Sequence, residues 1–204
     1  MQKIGFNKRY GLQDAVVKYK TKTMTRRIEN CLDVLYNAEE RLGEQLVINE
    51  QKVVNEYLVL TKTNAHILYL KPRYKLGEQV AVAQAYNEII NELPDRIKEY
   101  VIGYYADSKA WNNKLYVRPD LMPHLIEITG IRVEHLQDIS DEDCLKEGLV
   151  KGQLTYGYRC SGGMEVYSTP RNAFAALIDC RGIGGPGTWK RNPWVVVYTF
   201  KLIK

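Results

Sequence analysis

The chain has 204 residues, 45% of them apolar and 26% charged, which is enough for one domain with a sizeable core; two small domains are the alternative. A net charge of +5 permits a nucleic-acid partner without requiring one. The longest apolar runs, such as Trp194 to Tyr198, are strand-length and far short of the roughly 20 residues that span a bilayer. Met1 to Gly5 carries no signal-peptide core, and no period of 20 to 50 residues marks a solenoid, so a soluble, cytoplasmic protein is expected.

In chain order, Leu12 to Tyr19 reads as a helix, and the β-branched Thr23 and Thr25 then favour an extended strand. Between Glu29 and Leu42, Cys31, Leu32, Leu35, Ala38 and Leu42 recur at steps of mostly three and four, predicting an amphipathic helix stopped by Gly43. Leu46 to Ile48, Val53 to Thr61 and Ile67 to Leu70 read as strands, with a turn at Asn64. Glu88 to Tyr100 predicts a helix broken or restarted at Pro94. Ser140 with Asp143 resembles a capping box opening the helix that carries Glu147, and Thr169-Pro170 opens another through Ile178. Trp194 to Ile203 is the final strand. Short strands mixed with scattered helices predict an α+β fold built on a partly open barrel with flanking helices.

The chemistry concentrates in Lys22-Thr23-Met24-Thr25-Arg26-Arg27. Guanidiniums hold phosphate or carboxylate by two-pronged hydrogen bonds, and a hydroxyl becomes a nucleophile when a base takes its proton. Lysine is such a base only when its pKa falls, the direction in which burial and two neighbouring arginines push it. The blander readings are a solvated strand edge or a passive phosphate clamp. Lys18, Lys20, Lys22, Arg26 and Arg27 form one basic cluster, and Lys71, Arg73 and Lys75 a second around Tyr74. Fifteen tyrosines, among them Tyr10, Tyr19, Tyr69, Tyr74, Tyr156 and Tyr158, interleave with basic residues as base stacking would need, although tyrosine is also a good strand residue. Gly182 to Gly187 is rich enough in glycine to approach a phosphate, but it lacks the Gly-Lys-Ser/Thr ending of a P-loop. It reads as a connector, or a lid leading to Trp189, Lys190 and Arg191. Cys31, Cys144, Cys160 and Cys180 are far apart and only His66, His124 and His135 are available to join them, so free thiols, no metal and no cofactor are expected.

Several segments together resemble one family. Phe6-Asn7, Leu12 to Val17 and Lys22 to Arg27 are similar to the opening of the ASCH domains, small β-barrels related to PUA RNA-binding modules. Tyr74 to Val80 resembles that family's turn into a barrel strand, and Met122-Pro123 followed by Ile126 to Val133 its next long strand. Leu136 to Asp143 with Lys146-Glu147-Gly148 resembles the following helix, and Trp189 with Asn192 to Val195 the closing strand, in versions common in phages and prophages. Residues 29–70 are the part least explained and read as an insertion. Two departures stand out: Val82-Ala83-Gln84 where Val-Arg-Glu is common, and His124 where an arginine is frequent.

The resemblance implies two functions. One is a module binding RNA or a modified nucleobase or nucleoside in a basic cleft, with Thr23, Arg26, Arg27, Tyr74, Lys75, Trp189 and Lys190 as ligand contacts. The other is an enzyme, either a nuclease using that cleft or an amidohydrolase removing the acyl group from N-acylated cytosine nucleosides. In the latter, Thr25 would attack, Lys22 would accept its proton and Glu147 would orient the groups or shuttle a proton. A regular strand turns residues 22 and 25 to opposite faces, so this chemistry requires a bend between them.

Overall fold

The structure is a computed structural model that describes residues 1–62, 67–160 and 163–204. In chain order it runs β1 (Gln2–Ile4), α1 (Leu12–Val17), β2 (Met24–Arg27), α2 (Asp33–Leu42), β3 (Ile48–Val54), β4 (Tyr57–Lys62), β5 (Ile67–Leu70) and β6 (Gln79–Val82). Three helices follow, α3 (Tyr86–Ile89), α4 (Asp95–Tyr105) and α5 (Lys109–Asn112). Then come β7 (Leu125–His135), α6 (Asp141–Lys146), β8 (Val150–Lys151), β9 (Tyr156–Cys160) and β10 (Gly163–Tyr167). The chain finishes with α7 (Pro170–Ile178), α8 (Thr188–Arg191) and β11 (Trp194–Leu202). The mixed α+β class holds. The strands form three sheets, and none of them closes into a barrel among the described residues.

The largest sheet has the order β1-β6-β7-β11-β2. Its β11 is paired on both sides, antiparallel to β7 and to β2. Val195, Val196, Val197 and Tyr198 are all buried, as a continuous apolar run must be when both faces of a strand are covered. α7 lies on this core. Its Thr169 side chain accepts the Asn172 amide, Pro170 supplies a ready-made first turn, and Ala173, Phe174 and Leu177 go under. Gly43 adopts a left-handed φ of 68° and ends α2 where the periodicity placed the stop. Pro94 is the cap of α4, so the predicted interruption is a break between two helices.

Residues 29–70 share the main core: Leu35, Leu58, Leu60 and Leu70 are buried in the same cluster as Val196 and Phe200. The amide of Gln51 on β3 both donates to the Val133 carbonyl and accepts the Val133 N–H, each at 2.8 Å, tying the β3-β4-β5 sheet to β7. The segment with its own core is instead 81–122, where Tyr86, Ile89, Val101 and Met122 pack together. Asn64 and His66 lie outside the described residues.

Candidate functional site

β2, β7 and the end of α6 bring a set of charges inside the protein. α6 starts at Ser140, whose side chain accepts the Asp143 N–H, and it ends at Glu147, its C-cap residue. Lys22 precedes β2. Its backbone N–H donates to the Ala15 carbonyl at 3.1 Å, and Lys20 just before it has a left-handed φ of 55°. The chain therefore turns before the strand begins, the departure from regular extension that placing residues 22 and 25 at one site requires. The Lys22 Nζ folds back to donate to Glu147 Oε2 at 2.5 Å, to Met24 O at 2.7 Å and to Glu147 O at 2.8 Å. Three acceptors use all three protons of an ammonium. Burial lowers the Lys22 pKa; Glu147 works against that, and Arg27 and Arg26 add to it.

Arg26 is equally enclosed. Its Nε and Nη2 donate to Glu134 Oε1 at 2.8 and 2.6 Å, and its Nη1 to Glu147 Oε1 at 3.1 Å, while Nη2 also reaches Asp143 Oδ2 at 3.3 Å. Burial opposes its charge, but Glu147 and Glu134 outweigh that and raise its pKa. Arg132 closes the network on Glu134 Oε2 at 2.8 Å and Asp143 Oδ2 at 2.6 Å. Lys22, Arg26 and Arg132 thus stand against Glu134, Asp143 and Glu147, and the basic cluster expected to face a ligand is largely neutralised from within. Arg27 differs. Among the described residues it makes no ion pair; its Nη2 donates to the Gly5 carbonyl at 2.8 Å and its buried Nε has no partner.

Against this network lies a cavity of about 330 Å³. Lys22, Thr25, Arg26, Arg27 and Glu147 form its polar side. Phe6, Phe174, Leu177 and Ile178 form its apolar side, and Asn7 with Gly182 to Gly184 forms a third wall. Phe6 lies between two cations, with Lys22 Nζ 5.7 Å and the Arg27 guanidinium 5.8 Å from its ring centre. The Asn7 amide donates to the Gly182 carbonyl at 3.1 Å, which ties the start of the glycine-rich loop to the cavity wall. The Thr25 hydroxyl, on the cavity wall, has no hydrogen-bond partner among the described residues.

The structure thus brings Lys22, Thr25, Glu147, Arg26 and Arg27 together on one cavity. It does not bring the rest. Tyr74 is buried against Tyr198 with its hydroxyl donating to the Lys3 carbonyl, and Lys75 pairs with Glu56 at 3.4 Å. Thr23 spends its backbone on Lys146 and Phe200. Trp189 packs edge-on against Phe174 and under Arg171, behind the cavity wall, and Lys190 is exposed outside it. Gln84 and His124 meet each other: Gln84 Oε1 is 2.7 Å from His124 Nδ1, a hydrogen-bonded pair away from the cavity.

Sequence reasoning missed Glu134, Asp143 and Arg132, the partners that set the state of Arg26, and the aromatic wall. A signal existed for two of them: Arg132 and Glu134 flank Val133, so strand alternation puts two charges on one face of β7, and Arg132 and Arg26 both pair with Val197. Cys31, Cys144 and Cys180 are free thiols. Among the described residues no group of three or more His, Cys, Asp or Glu is arranged to hold a metal ion, and no helix is long and apolar enough to cross a membrane. Comparison of the chain with protein-family models, curated proteins and solved structures finds no match to any.

Proposed function

We propose that the cavity binds one uncharged modified nucleobase or nucleoside, in a PUA-like arrangement of the five-stranded sheet. The observation that carries this reading is the internal pairing of Lys22 and Arg26: a pocket of about 330 Å³ in which two of the three lining cations are already bonded to carboxylates suits a neutral planar ligand better than a polyphosphate. Phe6 and Phe174 offer apolar surface to a heterocycle, while Thr25 and Asn7 offer polar groups to its edge. An RNA strand would present such a base at the cavity mouth with Arg27 beside it.

A second reading, amidohydrolase activity on an N-acylated cytosine nucleoside, is favoured by the placing of the Lys22–Glu147 pair on the same cavity wall as the unpartnered Thr25 hydroxyl. Moving one proton across the 2.5 Å contact gives a neutral amine and a protonated carboxyl, the direction in which burial drives Lys22. The amine would take the Thr25 proton as Oγ bonds to the acyl carbon. The carboxyl would protonate the departing exocyclic nitrogen, and water would then cleave the acyl-threonine ester.

Calorimetric titration with cytidine and N-acetylcytidine, beside a hydrolysis assay of the latter, tests both readings. Binding to the parent protein that weakens in Phe174→Ala supports the pocket, and turnover abolished in Thr25→Val adds the enzyme. Failure of every nucleoside to bind, with steeply salt-dependent binding of single-stranded RNA in its place, would overturn the neutral-pocket reading.

A further inference from the structure

Beside the N-terminal end of α1 lies a second hollow of about 570 Å³, within the roughly 300–1,000 Å³ range of small-ligand sites. Its lining adjoins that of the first cavity. Gly148 and Ala15 line this hollow, Leu12 and Lys22 line the first, and a Cβ placed on Gly148 would lie 3.3 Å from each of Leu12, Ala15 and Lys22. Its floor is apolar, from Ala15, Leu145 and Leu149.

The rim has one sign of charge. Lys146, Lys151 and Arg159 line it, and no described residue lining it carries a carboxylate. Lys146 is partly committed, to Asp143 at 2.9 Å, and Asp14 on α1 faces Lys18 at 3.4 Å. Lys151 and Arg159 make no ion pair among the described residues. Arg159 instead stacks over the Tyr19 ring, 5.5 Å from its centre, and Tyr19 remains 54% exposed. A half-covered tyrosine backed by the Arg159 guanidinium, beside the unpaired Lys151, joins a stacking surface to an anion-binding rim.

We propose that this hollow is a second ligand site, selective for an anion with a flat aromatic body, the chemistry of a nucleoside monophosphate. The base stacks on Tyr19 over the apolar floor, and the phosphate is held by Lys151 and Arg159. The same chemistry is presented by a free nucleotide or by one residue of a single-stranded nucleic acid. The site stands on its own geometry and does not depend on what the first cavity binds.

The test is amide NMR on the full chain, titrated with adenosine 5′-monophosphate, with adenosine and with a single-stranded adenosine hexanucleotide. Shifts at Gly148, Leu149 and Val150 report this site; shifts at Asn7 and Thr25 report the first cavity. The monophosphate is expected to move the first set and adenosine to bind at least about tenfold more weakly, the loss of one charge-assisted contact. Lys151→Glu and Arg159→Glu, both surface changes that leave the fold intact, should each weaken the monophosphate by about tenfold, and Tyr19→Ala by a similar factor. Shifts with the hexanucleotide but not the monophosphate assign the source to a strand. No shift at residues 148–150 with either phosphorylated probe, or parent-like affinity in both charge-reversal variants, would overturn the proposal.

Discussion

Replacing Lys22 by methionine probes the buried pair directly. The Lys22 side chain is 2% exposed and that of Glu147 6%, and the ammonium serves three acceptors. Removing one partner of a buried ion pair costs about 3–5 kcal/mol, because the other is left charged without its partner. Here Arg26 Nη1 still reaches Glu147 Oε1 at 3.1 Å, so the loss belongs at the low end, about 3 kcal/mol. Glu147→Met leaves Lys22 with two carbonyls and costs about as much. The double variant strands neither Lys22 nor Glu147, and Arg26 keeps Glu134 and Asp143, so its cost should be about 2–3 kcal/mol, mostly the two carbonyls that lose Lys22. The sum of the single losses then exceeds the double loss by about 3 kcal/mol. Urea unfolding of the four proteins at pH 7 measures the cycle, with the slope against denaturant checking that the unfolded states are alike. Additivity within about 0.5 kcal/mol would mean the two groups act independently, and the closed network argued above would be wrong.

Gly148→Ala should destabilise the protein by about 2–4 kcal/mol in the same assay, since φ is 98° and the new methyl meets three side-chain carbons at 3.3 Å; an unchanged midpoint would count against the close packing around Gly148. Burial, aided by Glu29 at Cys31, pushes the Cys31 and Cys144 thiols up to about 12. At pH 8 both should therefore label with iodoacetamide on the order of a thousandfold more slowly in the folded than in the denatured protein, as peptide mass spectrometry would resolve. Burial opposes ionisation of Asp143, but Lys146 and Arg132 outweigh it and hold the carboxyl below its ordinary value of 3.8. Its folded pKa is thus depressed, so its contribution is complete above the unfolded value and lost as pH falls through the folded one. The stability gap between parent and Asp143→Asn should narrow between pH 5 and pH 2, and a gap that widens on acidification would contradict that assignment.

Local signals carried much of the fold. Ser140, Thr169-Pro170 and Gly43 mark helix ends by hydrogen bonds and backbone angles that depend on the next few residues alone, and all three act where expected. Trp194 to Leu202 is a strand because its apolar run needs cover on both faces. What stayed hidden was long-range. The cluster from Lys18 to Arg27 looked basic because a sequence window cannot see Glu134, 108 residues from Arg26, or Asp143, 117 residues away. Tyr74 and Lys75 sit in a basic stretch, yet one packs under Tyr198 and the other meets Glu56. Gln84 and His124 each read as an isolated departure, whereas across 40 residues they form one hydrogen bond.

The residues of the site divide by what the fold already asks of them. Lys22 closes the C-terminal end of α6 through the Glu147 carbonyl, a favourable place for a cation at a helix end, and it neutralises the Glu147 carboxylate. Arg26 ties β2 to β7 and to α6. A structural duty thus accounts for both, and lost function on mutating either mixes misfolding with chemistry. Thr25 has no such duty, since its hydroxyl is bonded to nothing among the described residues. Exchanging that hydroxyl for a methyl keeps the shape of the side chain and strands no partner, so Thr25→Val should leave stability within about 1 kcal/mol of the parent. Any loss of ligand or of turnover in that variant then belongs to the cavity itself. A variant that binds and turns over as the parent does would reduce the Lys22–Glu147 pair to a strut between a helix end and a strand.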